Sequence, residues 1–374
     1  MSFAPDAIRF IDAPTLRNWL NDGDELALLN VREAGKFGEG HPFFAIPLPF
    51  SRLELGAPRL LSRKSVRIAL VDDGTHAAGD GFEHASVARR AATRLRELGY
   101  GDIAILDGGV EAWRAAGYTL FRGVNVPSKT FGELVEHAYG TPHVSPAQLQ
   151  RWRIEHGSTR SYADVLPAGS GNHERKDARI RAQALAQRFG VCTLEEGSAL
   201  AWRDDPRRTA YLLDVCTPEE FARDSLPAAT HAPGGQLIQA NDQTVAVRRA
   251  QLLLIDYDGI RAPVVAHWLV QLGFETALVD AATAARWSAP DHAQLHAGST
   301  VSPLVPPLAS NAVVLDLRSS AAHKEGRPAG SHWTIRPRVF QTLRRADANR
   351  ETPVVLLTDP AGQDARLTRG QGSA

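Results

Sequence analysis

The chain has 374 residues, 43% hydrophobic and 22% charged, the balance of an ordinary soluble globular protein of two to four domains. Lys plus Arg and Asp plus Glu number 42 each, so no global field favours nucleic acid or a membrane surface as partner. Met1 to Phe10 lack a basic stretch followed by an apolar core, no apolar run approaches the ~20 residues that span a bilayer, and Cys192 and Cys216 are too few for a four-thiolate site; a cytoplasmic protein with free thiols is expected.

Short apolar runs alternate with amphipathic helices, the rhythm of βα units and a mainly parallel sheet. A head at Ile11 to Leu20 precedes a strand, Ala27 to Val31, that runs into Arg32. A second strand, Val66 to Val71, leads to the loop Asp72, Asp73, Gly74, then an insertion, Thr75 to His84, and a helix, Ser86 to Leu98, with Val87, Ala91, Leu95 and Leu98 on one face. The unit closes on Leu106, Asp107, Gly108, Gly109, Val110, Glu111, Ala112, Trp113. A similar head recurs at Val144 to Trp152, but the stretch from there to Cys192 is too short for a module of about a hundred residues; it holds the turn Gly169 to Asn172 and a charged helix, Glu174 to Phe189.

A third head, Cys192 to Trp202, precedes the strand Leu212 to Cys216. Thr217, Pro218, Glu219, Glu220 then read as a helix start in which Thr217 caps and Glu220 bonds back. The strand Gln251 to Ile255 leads to the loop Asp256, Tyr257, Asp258, Gly259, Ile260, Arg261. A helix follows with Pro263 in its first turn and Val265, Trp268, Leu269 and Leu272 at core spacing, stopping at Gly273. A fourth head, Val301 to Leu308, precedes the strand Val314 to Arg318, and a last strand, Pro353 to Leu357, reaches the loop Thr358 to Gly362. The chain ends at Arg369 to Ala374 before a further helix and strand, so this module is expected to be poorly ordered or packed on its neighbour.

The Asp-Gly-Gly run with its trailing Trp113, the Pro233, Gly234, Gly235 turn and the strand-loop-helix units together resemble the rhodanese family of thiosulfate sulfurtransferases, in its multi-module form. The resemblance implies an α/β fold of tandem rhodanese-like modules, each a mainly parallel sheet flanked by helices. Modules are expected at 1–124 and 192–290, an incomplete one at 296–374, and a linker with the remnant of a second module at 125–191. It also implies sulfur transfer from a small sulfur-containing anion to a thiol or cyanide-like acceptor, without cofactor or metal. The family's chemistry rests on a cysteine whose thiolate, ringed by amide donors at a helix N-terminus, becomes a persulfide.

At the positions where that loop cysteine is expected, this chain carries Asp72 (followed by Asp73), Asp256 and Thr358. Arg261 falls where the family's loop has its arginine. Asp256 and Arg261 are expected to form a structural pair, the carboxylate capping the helix and filling the amide cradle, with Asp258 and Gly259 completing the loop. Such a carboxylate repels thiosulfate, and the resemblance therefore implies absent or severely weakened sulfur transfer.

Three alternatives stay open. Cys216, at a strand end before a helix and where the family usually has arginine, is the candidate persulfide carrier; Cys192 has a weaker claim. The run Asp256, Tyr257, Asp258, Gly259 is similar to the Asp-x-Asp-Gly loop of haloacid-dehalogenase-type phosphatases. A non-catalytic interaction or regulatory protein, with a protein partner, is the third. His292 and His296 lack a third ligand nearby and read as solvated.

Overall fold

The computed structural model describes residues 8–74, 86–123, 126–140, 144–156, 172–224, 226, 228–287, 311–349 and 351–358. The insertion Thr75 to His84, the turn residues Gly169 to Gly171, His292, His296, the head Val301 to Leu308 and everything from Asp359 onward lie outside the described residues. Contacts divide the chain into two compact units, Met1–Gly123 with Pro290–Ala374, and Val124–Ala289.

In the first unit, β1 (Arg9–Ile11), β2 (Leu26–Asn30), β3 (Ile46–Pro47), β4 (Ile68–Val71) and β5 (Ile103–Leu106) form a parallel sheet in the order β1-β5-β4-β2-β3. Every residue of β2 and β4 is buried, because helices cover both faces; that is why these strands read as unbroken apolar runs. The helix Val87–Glu97 starts at Ser86, whose hydroxyl accepts the Arg89 N–H at 3.2 Å, and its buried face is the alanine-rich stripe Ala88, Ala91, Ala92 with Leu95.

The second unit contains β6 (Ala210–Asp214), β7 (Thr230–His231), β8 (Val247–Arg248), β9 (Gln251–Asp256) and β10 (Glu275–Asp280). Four of them make a parallel sheet in the order β10-β9-β6-β7. Leu212, Leu253, Ile255, Ala277 and Val279 pack with Trp287 on one face. On the helix Arg261–Gln271, Val265 and Leu269 are buried as their spacing predicts, while Trp268 and Leu272 are half-buried and His267 is buried. The segment expected as a linker carries the helices Pro127–Tyr139, Pro146–His156 and Asn172–Arg188. The last of these packs against the helix Arg261–Gln271 and buries Ala182 and Ala186, and Phe131 meets Trp268 edge-on at 6.0 Å.

A third sheet, within the first unit, holds β11 (Val313–Asp316), β12 (His332–Trp333) and β13 (Val354–Leu357), parallel in the order β12-β11-β13. Its own core is small: Leu315, Leu317 and Val339 are buried, with Val313, Leu343 and Leu356 packed against them. Its attachment to the first sheet's helices supplies what this core lacks. The buried Arg336 guanidinium is paired through both terminal nitrogens with the Glu54 carboxylate, and both it and Arg90 lie over the fully buried Phe50 ring at 4.9 Å. Arg90 also reaches the Pro337 carbonyl at 3.4 Å.

Removing one partner of a buried pair strands the other charge, at a cost of about 3 kcal/mol. Glu54→Ala is therefore expected to lower hydrogen-exchange protection of β11 and β13 well before that of β2 and β4. Equal protection in wild type and variant would show that the third sheet stands without this anchor.

Candidate functional site

One buried polar side chain ends an inner strand of each sheet: Asn30 on β2, Asp214 on β6 and Asp316 on β11, all without solvent exposure. In each case the side-chain Oδ1 accepts a backbone N–H two residues on, from Arg32 at 3.2 Å, Cys216 at 3.0 Å and Arg318 at 3.1 Å. Each residue's carbonyl accepts a second bond at the same sequence separation, from Leu48, Ala232 and Thr334 respectively. The three turns are thus built alike, and they differ in what fills the position two residues beyond the strand.

Arg32 and Arg318 fill it with a guanidinium. The Nε–H of each returns to the same Oδ1, at 3.1 and 3.0 Å, and a terminal nitrogen donates to a glycine carbonyl eight residues on, Gly40 or Gly326. Arg32 also pairs with Asp73 at 3.1 Å. Arg318, then His323, hold the Asp316 carboxyl down at about 2. Cys216 takes that place in the second unit and offers no cation. There Asp214 Oδ2 accepts the Tyr257 hydroxyl at 2.7 Å instead; burial, and then this bond, raise the phenol above its ordinary value.

The loops after β4 and β9 are the expected cradles. In the first, Asp72 is buried; its Oδ1 accepts the Gly74 N–H at 2.8 Å and its Oδ2 the Ala88 N–H at 3.0 Å, so the carboxylate caps the next helix and occupies the loop's amides. The Gly108, Gly109 pair exists for this loop. Both residues have positive φ, +68° and +57°, and a Cβ on Gly109 would lie 2.3 Å from the Asp72 carbonyl oxygen and 2.4 Å from the Gly74 nitrogen.

The second cradle corrects the expected pairing of Asp256 with Arg261. Asp258 caps the helix, its Oδ1 accepting the N–H groups of Ile260 at 2.8 Å and Arg261 at 3.1 Å. Asp256 accepts the Gly259 N–H, at 2.9 Å, and burial pushes its carboxyl up. The Arg261 guanidinium turns away to Glu220 at 2.6 Å. That carboxylate is doubly used: Arg261 and the Thr217 N–H, 2.8 Å away, bring it down to about 2, and it completes the capping box expected at Thr217. Arg179, on the helix Asn172–Arg188, donates to the Asp258 carbonyl and lies against Gly259, a contact that no sequence motif announces. Thr358 comes after β13 at the third loop position and is half-buried. Among the described residues no group of three His, Cys, Asp or Glu side chains is placed to hold a metal.

Cys216 does not end a strand as expected: β6 stops at Asp214, and the thiol lies in the loop beyond, buried, on a cavity of ≈ 390 Å³ that Glu220, Arg223, Asp256, Tyr257 and Arg261 also line. Burial first, then the Asp214 and Glu220 carboxylates, push its thiol up to about 12. This is the opposite of an activated thiolate. Cys192 is exposed and lies apart from this cavity's lining.

Because only the thiolate is alkylated, Cys216 is expected to react slowly with iodoacetamide through pH 9, the rate climbing as pH approaches 12. Peptide mapping after timed quenching reads this directly; half-maximal modification near neutral pH would show an activated thiol.

No described helix is long and apolar enough to cross a membrane. No protein-family model matches the sequence, and no curated protein matches it. Among solved structures the chain is similar to a thiosulfate sulfurtransferase from Pseudomonas aeruginosa, with 30% identity and a TM-score of 0.81 over 98% of this chain and 85% of that one. It also matches the rhodanese-like domain of the Alr3790 protein from Anabaena sp., at 27% identity and TM-score 0.26, over 33% of this chain and 82% of that one. A third match is SseA from Escherichia coli, a 3-mercaptopyruvate sulfotransferase, at 17% identity and TM-score 0.26, over 75% of this chain and 100% of that one.

Proposed function

The chain belongs to the rhodanese-like family, and from that premise we propose that it keeps the sulfurtransferase scaffold while sulfur transfer itself is absent or severely weakened. Its modules on this reading are 1–124, a reduced remnant at 125–191, 192–290 and an incomplete 296–374, working in the cytoplasm with both cysteines as free thiols. The observation that carries the proposal is the occupied cradle. Asp72 already accepts two of the amides that would face a bound sulfur anion, and Asp256 accepts one in the second unit. A fixed carboxylate there cannot be sulfurated and repels a thiosulfate dianion.

A second reading has one observation in its favour: Cys216 lines the cavity beside Arg261 and Arg223. In that reading the Cys216 thiolate attacks the sulfane sulfur of thiosulfate. An S–S bond forms to the cysteine, the sulfane–sulfonate S–S bond breaks, and sulfite leaves with the electron pair. The raised thiol value opposes the first step. A folded scaffold without transfer points instead to a protein partner or a small sulfur-containing ligand held without reaction.

Incubation with thiosulfate followed by intact-mass measurement separates the two. An unchanged mass is expected, with an active thiosulfate sulfurtransferase modified in parallel as control. Gain of one sulfur atom that maps to Cys216 and disappears in Cys216→Ser would establish the second reading.

A further inference from the structure

We infer that the cavity between β12 and the helix Val339–Arg345 is a nucleotide site: it takes an organic phosphate that carries a flat ring. The cavity measures ≈ 480 Å³, within the range of small-molecule sites, and opens at the carboxyl end of a parallel strand, where α/β sheets bind ligands. It is separate from the cradles, since neither Asp316 nor Thr358 lines it.

Charge defines what enters. Arg338 and Arg345 line the cavity together with Gln341 and Thr342, and among the described residues no carboxylate does. Gln341, Thr342 and Arg345 fall on one face by helical spacing, with Arg338 at the helix start. Between Glu325 and Asp347 the sequence has five arginines and no acidic residue. The structure spends Arg336 on Glu54, whereas Arg338 and Arg345 are exposed and have no ion-pair partner among the described residues. Two unpaired guanidiniums on one concave wall suit the oxygens of a phosphate, which they bind as forks.

Trp333 lines the same cavity. This indole is 39% exposed, unusual for so large an apolar side chain, and its Nε1–H donates to the Arg318 carbonyl at 3.0 Å, which fixes the ring. A held indole face beside two guanidiniums is a platform for a nucleobase, because every base has a π-face that can stack on it. The corresponding position in the second unit is His231, whose Nε2 lies 3.1 Å from the Cys216 carbonyl at the same separation of 15 residues, but whose ring is stacked on Phe221 at 4.3 Å and so is already covered.

The test is equilibrium dialysis of the full chain against ADP, inorganic phosphate and adenosine separately. ADP is expected to bind most tightly and to weaken as salt rises. Arg338→Gln and Arg345→Gln should each lower ADP affinity about tenfold, with Arg345→Lys between, and Trp333→Leu should lower affinity for ADP more than for phosphate. Both arginines are exposed, so melting temperatures of the Gln variants should match wild type, which separates lost binding from lost folding. Absence of ADP binding, or ADP binding unchanged in the double Gln variant, would overturn the site. Phosphate binding as tightly as ADP would overturn the role of Trp333.

Discussion

Each sheet of this protein turns on a side-chain oxygen buried at the end of one of its inner strands. Asn30, Asp214 and Asp316 have no contact with solvent, so their oxygens must be bonded within the protein, and the nearest donors are backbone N–H groups of the loop beyond the strand. That requirement fixes the loop, and the loop fixes the start of the next helix. The carboxylates of Asp214 and Asp316 strengthen the arrangement, because a bond to a charged acceptor is about twice as strong as a neutral one.

The exchange of a guanidinium for a thiol at one of these turns has electrostatic consequences through the whole of the second unit's cavity. Arg32 and Arg318 each satisfy the buried oxygen and a glycine carbonyl with one side chain. With Cys216 in that place, Tyr257 sets its hydroxyl on Asp214, and Arg261 is left to neutralise Glu220. The thiol then faces two carboxylates with its nearest cation already paired, and the charged form is penalised by burial and by both neighbours. A cysteine beside a helix start is activated only when the field there is positive, and here Glu220 sits in the first turn of that helix.

Among the described residues the third sheet has three in its buried cluster, and it shares the first unit with the sheet of β1 to β5. Placing Arg336 on Glu54 and Phe50 gives it a surface to fold against, while the neighbouring Arg338 and Arg345 remain on the outside. One basic segment therefore serves two ends: one guanidinium is buried and paired for attachment, and two are exposed without an ion-pair partner among the described residues.

The sequence by itself determined the α/β class, the strands and the local turn chemistry, because these depend on residues close together in the chain. Strands buried on both faces read as apolar runs, as at Leu26–Asn30 and Gln251–Asp256; Thr217 and Glu220 announce their capping box; and the Gly108, Gly109 pair marks a backbone approach that a Cβ would block. Tertiary structure alone decided who pairs with whom. Arg261 lies five residues from Asp256 yet bonds Glu220, Asp258 rather than Asp256 caps the helix, and β6 ends before Cys216. Arg179 reaches a loop from a helix expected to be part of a linker, and Glu54 meets Arg336 across 282 residues. A guanidinium on a long side chain can satisfy any carboxylate within several ångströms, and which one is nearest is set by how helices pack on the sheet, a choice that no short pattern of residues encodes.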